Sequence, residues 1–262
     1  MSDSDYTFGL SHEVGAMLHC CEQAMQQKKH IYRESRRDKE FPFQNWFKAR
    51  LEERKVAFDE SGRNTYPDFC LTSLLLGYEL KGLGYPGRMN DYDCNSQIPQ
   101  GQHQGREIIY VFGRYPAHPD ANHYPLIDLV LCHGSFLNAD HQYVHRNKSI
   151  RGMGSYGDVL LRDRKMYVAP TPFGILAGLE NATSLILPQS WPAPTGLTVV
   201  GNITRQETST TMTGYHFDLT TNQLHATYTK NPAASQLHHF VVYAVNTSEP
   251  RSPVYLHHRG QV

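Results

Sequence analysis

The sequence predicts an α/β fold in which helices flank a central mixed β-sheet and the C-terminal part is rich in strand. Three observations predict it. Two long stretches with helical spacing fall in the first 58 residues. Short β-branched or aromatic runs then follow one another from Thr65 to Ala169. Beyond a proline-rich bend, a further β-rich stretch runs from Leu197 to Leu256.

Each element has its own signal. Ser11 reads as the cap of a first helix through "HEVGAMLHCCEQAMQQ", where Val14, Met17, Leu18 and Cys21 keep helical spacing. "FQNWFKARLEERKVAF" reads as a second helix with Trp46, Phe47 and Leu51 on one side. "TYPDFCL", "GYELKGL", "REIIYVFGRY", "YPLIDLVLCHG" and "YGDVLLRDRKMYVA" read as strands bounded by Gly, Pro and Asn. "TPFGILAGLENATSLIL" is ambiguous and is taken as a short helix. The bend at "LPQSWPAPTG" marks a candidate subdomain boundary, although the tail is expected to pack on the main sheet. The chain is therefore read as one domain over 1–262, with a β-rich C-terminal subdomain from about 197 as the alternative.

Composition narrows the function classes. The formal net charge is zero, which neither demands nor excludes a polyanionic partner. No run of 18 or more apolar residues is present, and the acidic start "MSDSDYTFGLSHEV" does not resemble a signal peptide. Five cysteines without a CxxC pair suggest free thiols and a cytoplasmic setting. The sequons at Asn147, Asn181, Asn202 and Asn246 then read as chance matches. Charge is uneven: Lys28 to Lys55 holds ten Lys/Arg against five Asp/Glu, an excess of five positive charges. That stretch is either a solvated helix face or a surface that meets phosphates.

The chemistry concentrates in "YPDFCLTSLLLGYELKG", Tyr66 to Gly82. This largely apolar stretch carries Asp68, Glu79 and Lys81. Strands disfavour acids, and a charge removed from water is costly unless it is paired or binds a metal. Glu79 and Lys81 stand two apart on a strand, so both point to one face, opposite Leu80. Asp68 on the neighbouring strand can lie beside Glu79. Two close carboxylates repel unless a cation sits between them. Hard oxygen donors with few other protein ligands suit Mg²⁺, which keeps waters and shares its shell with substrate phosphates. An adjacent lysine can orient a water or stabilise charge on a transferring phosphoryl group. The bland alternative is a hairpin bearing a surface ion pair, an arrangement that contributes little.

Pro67-Asp68 followed by Glu79-Leu80-Lys81 resembles the signature of the PD-(D/E)XK nucleases, the superfamily that holds most type II restriction endonucleases. The resemblance covers about 15 residues. It implies a PD-(D/E)XK-like core, one or two Mg²⁺ ions held by Asp68 and Glu79, and a lysine, Lys81, that serves the attacking water. It also implies double-stranded DNA as substrate and a 5′-phosphate product. Helices in this family sometimes lend a further acid, for which Glu52 and Glu53 are the candidates. A palindromic target would require a symmetric homodimer or a monomer acting twice, and the sequence leaves both open.

Two further segments are candidates for DNA contact. "GLGYPGRMNDYDCNSQIPQGQHQGR" reads as a long irregular loop rich in side chains that reach base edges: Arg88, Asn90, Asn95, Gln97 and Gln100. "RNKSIRGMGSYGDVLLRDRK" combines glycines with Lys148, Arg151, Arg162 and Arg164, a composition that lets backbone approach a phosphate. Its formal GxGxxG at Gly152, Gly154 and Gly157 is followed by a strand and not a helix, which argues against a dinucleotide site. His141 and His145 have zinc-protease spacing, but Gln142 stands where the general base would be, so the cluster with His133 reads as structural. The competing functional readings are a non-catalytic nucleic-acid-binding protein and a repair nuclease of the same fold.

Overall fold

The structure is a computed structural model that describes residues 3–35, 41–60, 66–87, 89–95, 98–139, 156, 160–163, 166–218, 220–221, 223–246 and 251–257. In chain order the elements are α1 (Asp3–Gln26), β1 (Ile31–Tyr32), α2 (Pro42–Glu53), β2 (Phe58–Glu60), β3 (Phe69–Leu71), β4 (Leu76–Tyr85), β5 (Asp91–Asn95), β6 (Gln102–His103), β7 (Arg106–Pro116), β8 (His123–Tyr124) and β9 (Asp128–His133). They continue with α3 (Gly134–Leu137), β10 (Leu160–Asp163), β11 (Met166–Pro170), α4 (Pro172–Ile175), β12 (Leu176–Ala177), β13 (Thr183–Pro188), β14 (Leu197–Gln206), β15 (Thr210–Asp218), β16 (Gln223–Lys230), β17 (Leu237–Val245) and β18 (Tyr255–Leu256).

The architecture is α/β around a mixed nine-stranded sheet in the order β14-β17-β13-β9-β7-β4-β3-β2, with β6 paired to β7. Two of its contacts are parallel, β4 with β7 and β9 with β13; the rest are antiparallel. Two-residue periodicity divides its side chains between two cores. Tyr78, Ile109, Leu131, Leu185 and Tyr243 face α1 and α2, where they meet Leu10, Val14, Met17, Trp46, Phe47 and Leu51. Tyr110, Phe112, Val130, Ile186 and Val242 face the other way, under β5, β11, α3 and α4. Burial on both faces explains why the central strands read as apolar runs and not as clean alternation.

Several boundaries differ from those the sequence suggests. α1 begins eight residues before Ser11. Ser11 is buried within it and donates to Pro192 O at 2.5 Å, so it ties the helix to the bend before β14 and caps nothing. α2 starts with Pro42 in its first turn and stops before Lys55, whose φ of 57° leaves the helical region. The following Phe58 belongs to a strand. In "TPFGILAGLENATSLIL" only one turn is helical; Thr183–Pro188 is a central strand between β9 and β17. The region Gly82–Arg106 is not one irregular loop, because β4 continues to Tyr85 and β5 and β6 lie within it. The tail does pair with the main sheet, through β17 on β13 and β14 on β17.

Candidate active site

The corner between β3 and β4 brings Asp68, Glu79 and Lys81 together. Phe69 and Tyr78 are the last paired residues of this antiparallel ladder, and Asp68 and Glu79 are the next step outward. Asp68 thus precedes β3 and is not inside it. Its segment is fastened to β4 because Gly77 leaves room for Pro67: a Cβ there would stand 2.5 Å from Pro67 Cγ. The Leu80 backbone N–H donates to Asp68 Oδ2 at 2.7 Å, and Gln44 Nε2 from α2 donates to Oδ1 at 2.8 Å. Two β4 residues complete the group: Lys81 Nζ donates to Glu79 Oε1 at 2.6 Å.

The charges in this corner are not balanced. Glu79 is buried, and among the described residues its Oε2 has no hydrogen-bond partner. Burial first, and the charge of Glu79 second, push the Asp68 carboxyl up from 3.8 to about 7. Burial opposes the charge on Lys81, but Glu79, as charge and hydrogen-bond partner, together with Asp68, holds its pKa above that of an ordinary lysine. Lys81 is therefore an ammonium at neutral pH. It can donate to a water or a phosphoryl oxygen, and it cannot act as a base in this state.

Aromatic groups wall the corner. Tyr66 and Tyr110 share a hydrogen bond between hydroxyls at 3.0 Å, and Lys81 Nζ lies 5.8 Å from the centre of the Tyr92 ring. Cys94 stands close to Lys81, but burial pushes its thiol up to about 12, so it offers neither nucleophile nor thiolate ligand. The donors left for a cation are carboxylate oxygens. A buried Oε2 without a partner among the described residues, and a second carboxyl raised by burial and by the charge of the first, are features that a bound cation would relieve. The chemistry of the set fits Mg²⁺. Among the described residues no cluster of three or more His, Cys, Asp or Glu would cage an ion, so waters and substrate phosphate would supply the other ligands.

The other candidates separate. Of the two candidate acids on α2, Glu53 binds Arg50 and Lys29 at the far end of the helix and Glu52 is exposed beside it; the α2 side chain that reaches Asp68 is the amide of Gln44. Gln44 escapes sequence reading because nothing in it ties α2 to the residues before β3. The one available signal is its place in the helix, a polar residue beside the buried Phe43, Trp46 and Phe47. Four of the ten basic residues at Lys28–Lys55 have acidic partners: Lys48 with Glu60, Arg54 with Glu13, and Lys29 and Arg50 with Glu53. Asn90 is exposed. Gln100 is half-buried with its amide 2.8 Å from His103 Nδ1, and His103 stacks edge-on against Tyr66. Asn95 lies on β5 and Arg162 on β10, two edges of one small sheet joined by β11, and their side chains lie outside the described residues. Arg88, Gln97, Lys148, Arg151 and Arg164 also lie outside the described residues, as do Gly152, Gly154, Gly157, His141 and His145. His133 is buried between Glu107 Oε2 (2.7 Å) and Ser135 Oγ (2.6 Å), and its Nδ1 accepts from the Ser135 N–H as the cap of α3.

Compared with protein-family models, curated proteins and solved structures, the chain matches none.

Proposed function

We propose that this chain is a Mg²⁺-dependent endonuclease of the PD-(D/E)XK type that hydrolyses double-stranded DNA at a specific sequence, in the manner of a type II restriction enzyme. The observation that carries the proposal is the charge imbalance at Asp68, Glu79 and Lys81: two adjoining carboxylates, one ammonium, and a buried Oε2 without a partner among the described residues.

Asp68 and Glu79 would hold the metal, which when bound supplies Lewis-acid polarisation of the phosphoryl oxygen and lowers the pKa of water. The protein's own groups do the rest. Gln44 and the Leu80 N–H fix the Asp68 carboxylate, so it need not reorganise when a cation arrives. Glu79 holds Lys81 on the same strand face, where its ammonium orients the attacking water and offsets charge on the phosphate. Water oxygen bonds to phosphorus as the bond to O3′ breaks; one proton of the water ends on O3′ and the other passes to bulk water, and the products are a 3′-hydroxyl and a 5′-phosphate.

The test is digestion of a sequenced plasmid by the purified protein with Mg²⁺, followed by mapping of the ends. Discrete fragments with 5′-phosphates are expected. Smears or cuts that follow DNA structure would indicate a repair nuclease, and tight binding without cutting would indicate a binding protein; either outcome overturns the proposal.

A further inference from the structure

Between β14 and β17 the chain leaves the main sheet and forms a two-stranded ribbon, β15 paired with β16 and with no other strand. Nine and eight residues make arms of about 30 Å at 3.4 Å each. The base of the ribbon is anchored in the protein. Thr211 is buried and Met212 packs on the core. A register shift between Met212 and Gly214 bends the ribbon there. Behind it, buried Glu207 accepts from Asn231 Nδ2 (3.0 Å) and bonds His238 Nε2 (2.6 Å), while Asn231 also bonds Thr208 O and Ser209 O. A buried polar network thus mounts the base of an arm whose two strands lie outside the main sheet. An isolated two-stranded ribbon is marginal by itself, so so much fixing of its base calls for a use.

We propose that this ribbon is the sequence-reading arm of the chain, laid in the major groove of the duplex; the inference rests on the endonuclease reading above. Shape supports it, since the major groove, about 12 Å wide, admits a two-stranded β-ribbon. Side-chain chemistry supports it too. Over residues 210–230 only Asp218 and Lys230 are formally charged, whereas phosphate-gripping arms are rich in Lys and Arg. Gln223, His225, Thr229 and Lys230 are exposed and hydrogen-bonding, which suits base edges.

Placement agrees. Glu79 pairs with Tyr110, Tyr110 with Cys132, Cys132 with Ile186 and Ile186 with Val242, so Glu79 and Val242 share one row across the sheet. Four strand spacings along that row and five residues down β17 to Leu237 put the ribbon's base about 25 Å from Glu79. At 3.4 Å per base pair this spans about seven base pairs. β17 runs parallel to β4 through the intervening strands, so the ribbon leaves from the sheet end at which β4 begins, the end nearer Glu79.

The test compares the full chain with a variant whose residues 213–227 are replaced by Asn-Gly, which closes the Met212–Tyr228 pair with a two-residue turn. Cleavage is mapped on plasmid DNA, and rates are measured on the mapped site and on single-mismatch duplexes. The expected result is cutting by both proteins, with discrimination at one or more base pairs falling tenfold or more in the shortened chain. Unchanged ends and unchanged discrimination would overturn the ribbon's role and leave the endonuclease reading intact. A wild-type chain that neither binds nor cuts duplex DNA would overturn both. A shortened chain that loses self-association and keeps its discrimination would make the ribbon a protein contact and overturn the inference. Should the shortened chain fail to fold, the surface variant Gln223→Ala/Tyr228→Ala is judged by the same discrimination criterion.

Discussion

Two charge clusters lie on the same face of β4 and β7, and their contrast is what the proposed function rests on. In one, Arg114 and Asp128 face each other across β7 and β9. Arg114 Nε donates to Asp128 Oδ1 at 2.8 Å, Nη2 donates to Oδ2, and Asp128 also accepts the Asn181 N–H at 3.0 Å. The guanidinium lies 4.4 Å from the Phe173 ring centre and 5.3 Å from that of Tyr85. One positive charge meets one negative charge, and both are fully hydrogen-bonded. In the other, Asp68 and Glu79 share a single lysine, and Glu79 Oε2 has no partner among the described residues. A completed pair holds structure together. An incomplete one costs stability, and under the proposed function a cation from outside the chain completes it.

The largest expected effects separate the two clusters by readout. Asp68→Ala and Glu79→Ala should each lower cleavage by several orders of magnitude while the fold stays intact by circular dichroism. Arg114→Met should leave Asp128 buried and uncompensated, at a cost of about 3–5 kcal/mol, with activity lost only as the protein unfolds. A stable Arg114→Met protein, or an unfolded Glu79→Ala protein, would erase the distinction.

Next in size is Lys81. Lys81→Met should still bind its DNA with Ca²⁺ and should cut roughly 10²–10⁴-fold more slowly. Lys81→Arg should be nearly as slow, because guanidinium is bulkier and its fork is aimed differently. Recovery of most activity in Lys81→Arg would reduce Lys81 to a counter-charge.

The pH dependence sharpens the comparison further. Asp68 has a folded pKa of about 7 against an ordinary 3.8, so the folded chain keeps a proton that the unfolded chain loses. Its contribution to stability is fully present below about pH 4 and is lost as pH rises through about 7. Without Mg²⁺, Asp68→Asn should therefore melt higher than wild type at pH 8 and match it at pH 4. At limiting Mg²⁺, wild-type cleavage should rise through pH 7. A melting-temperature difference that does not change with pH would contradict the assigned proton. The smallest effect belongs to Gln44→Ala, which removes one hydrogen bond to a charged group; cleavage should fall about tenfold, mainly through weaker Mg²⁺ binding.

How much of this was legible in sequence follows from what local pattern encodes. The acid pair and its lysine were readable because Thr72–Leu75 closes a short connection that sets the β3–β4 register, and strand alternation puts Glu79 and Lys81 on one face. The buried faces of α1 and α2 were readable for the same reason, with a period of 3.6. Thr183–Pro188 was not, because a short apolar strand buried on both faces carries no periodicity to distinguish it from a helix. Gln44 and the Arg114–Asp128 pair depend on contacts between elements that no local pattern encodes. The ribbon at 210–230 was legible as strand, but its separation from the main sheet was not.

The central claim is that the unbalanced corner is a cation site, and calorimetric titration of Mg²⁺ into the DNA-free protein at pH 7 tests it most directly. Wild type should bind Mg²⁺ with release of about half a proton, since Asp68, with a pKa of about 7, is half protonated at that pH, and Glu79→Gln should lose that binding while Arg106→Gln, at the start of β7, keeps it. Equal Mg²⁺ affinity in wild type and Glu79→Gln, with no proton released, would contradict the account.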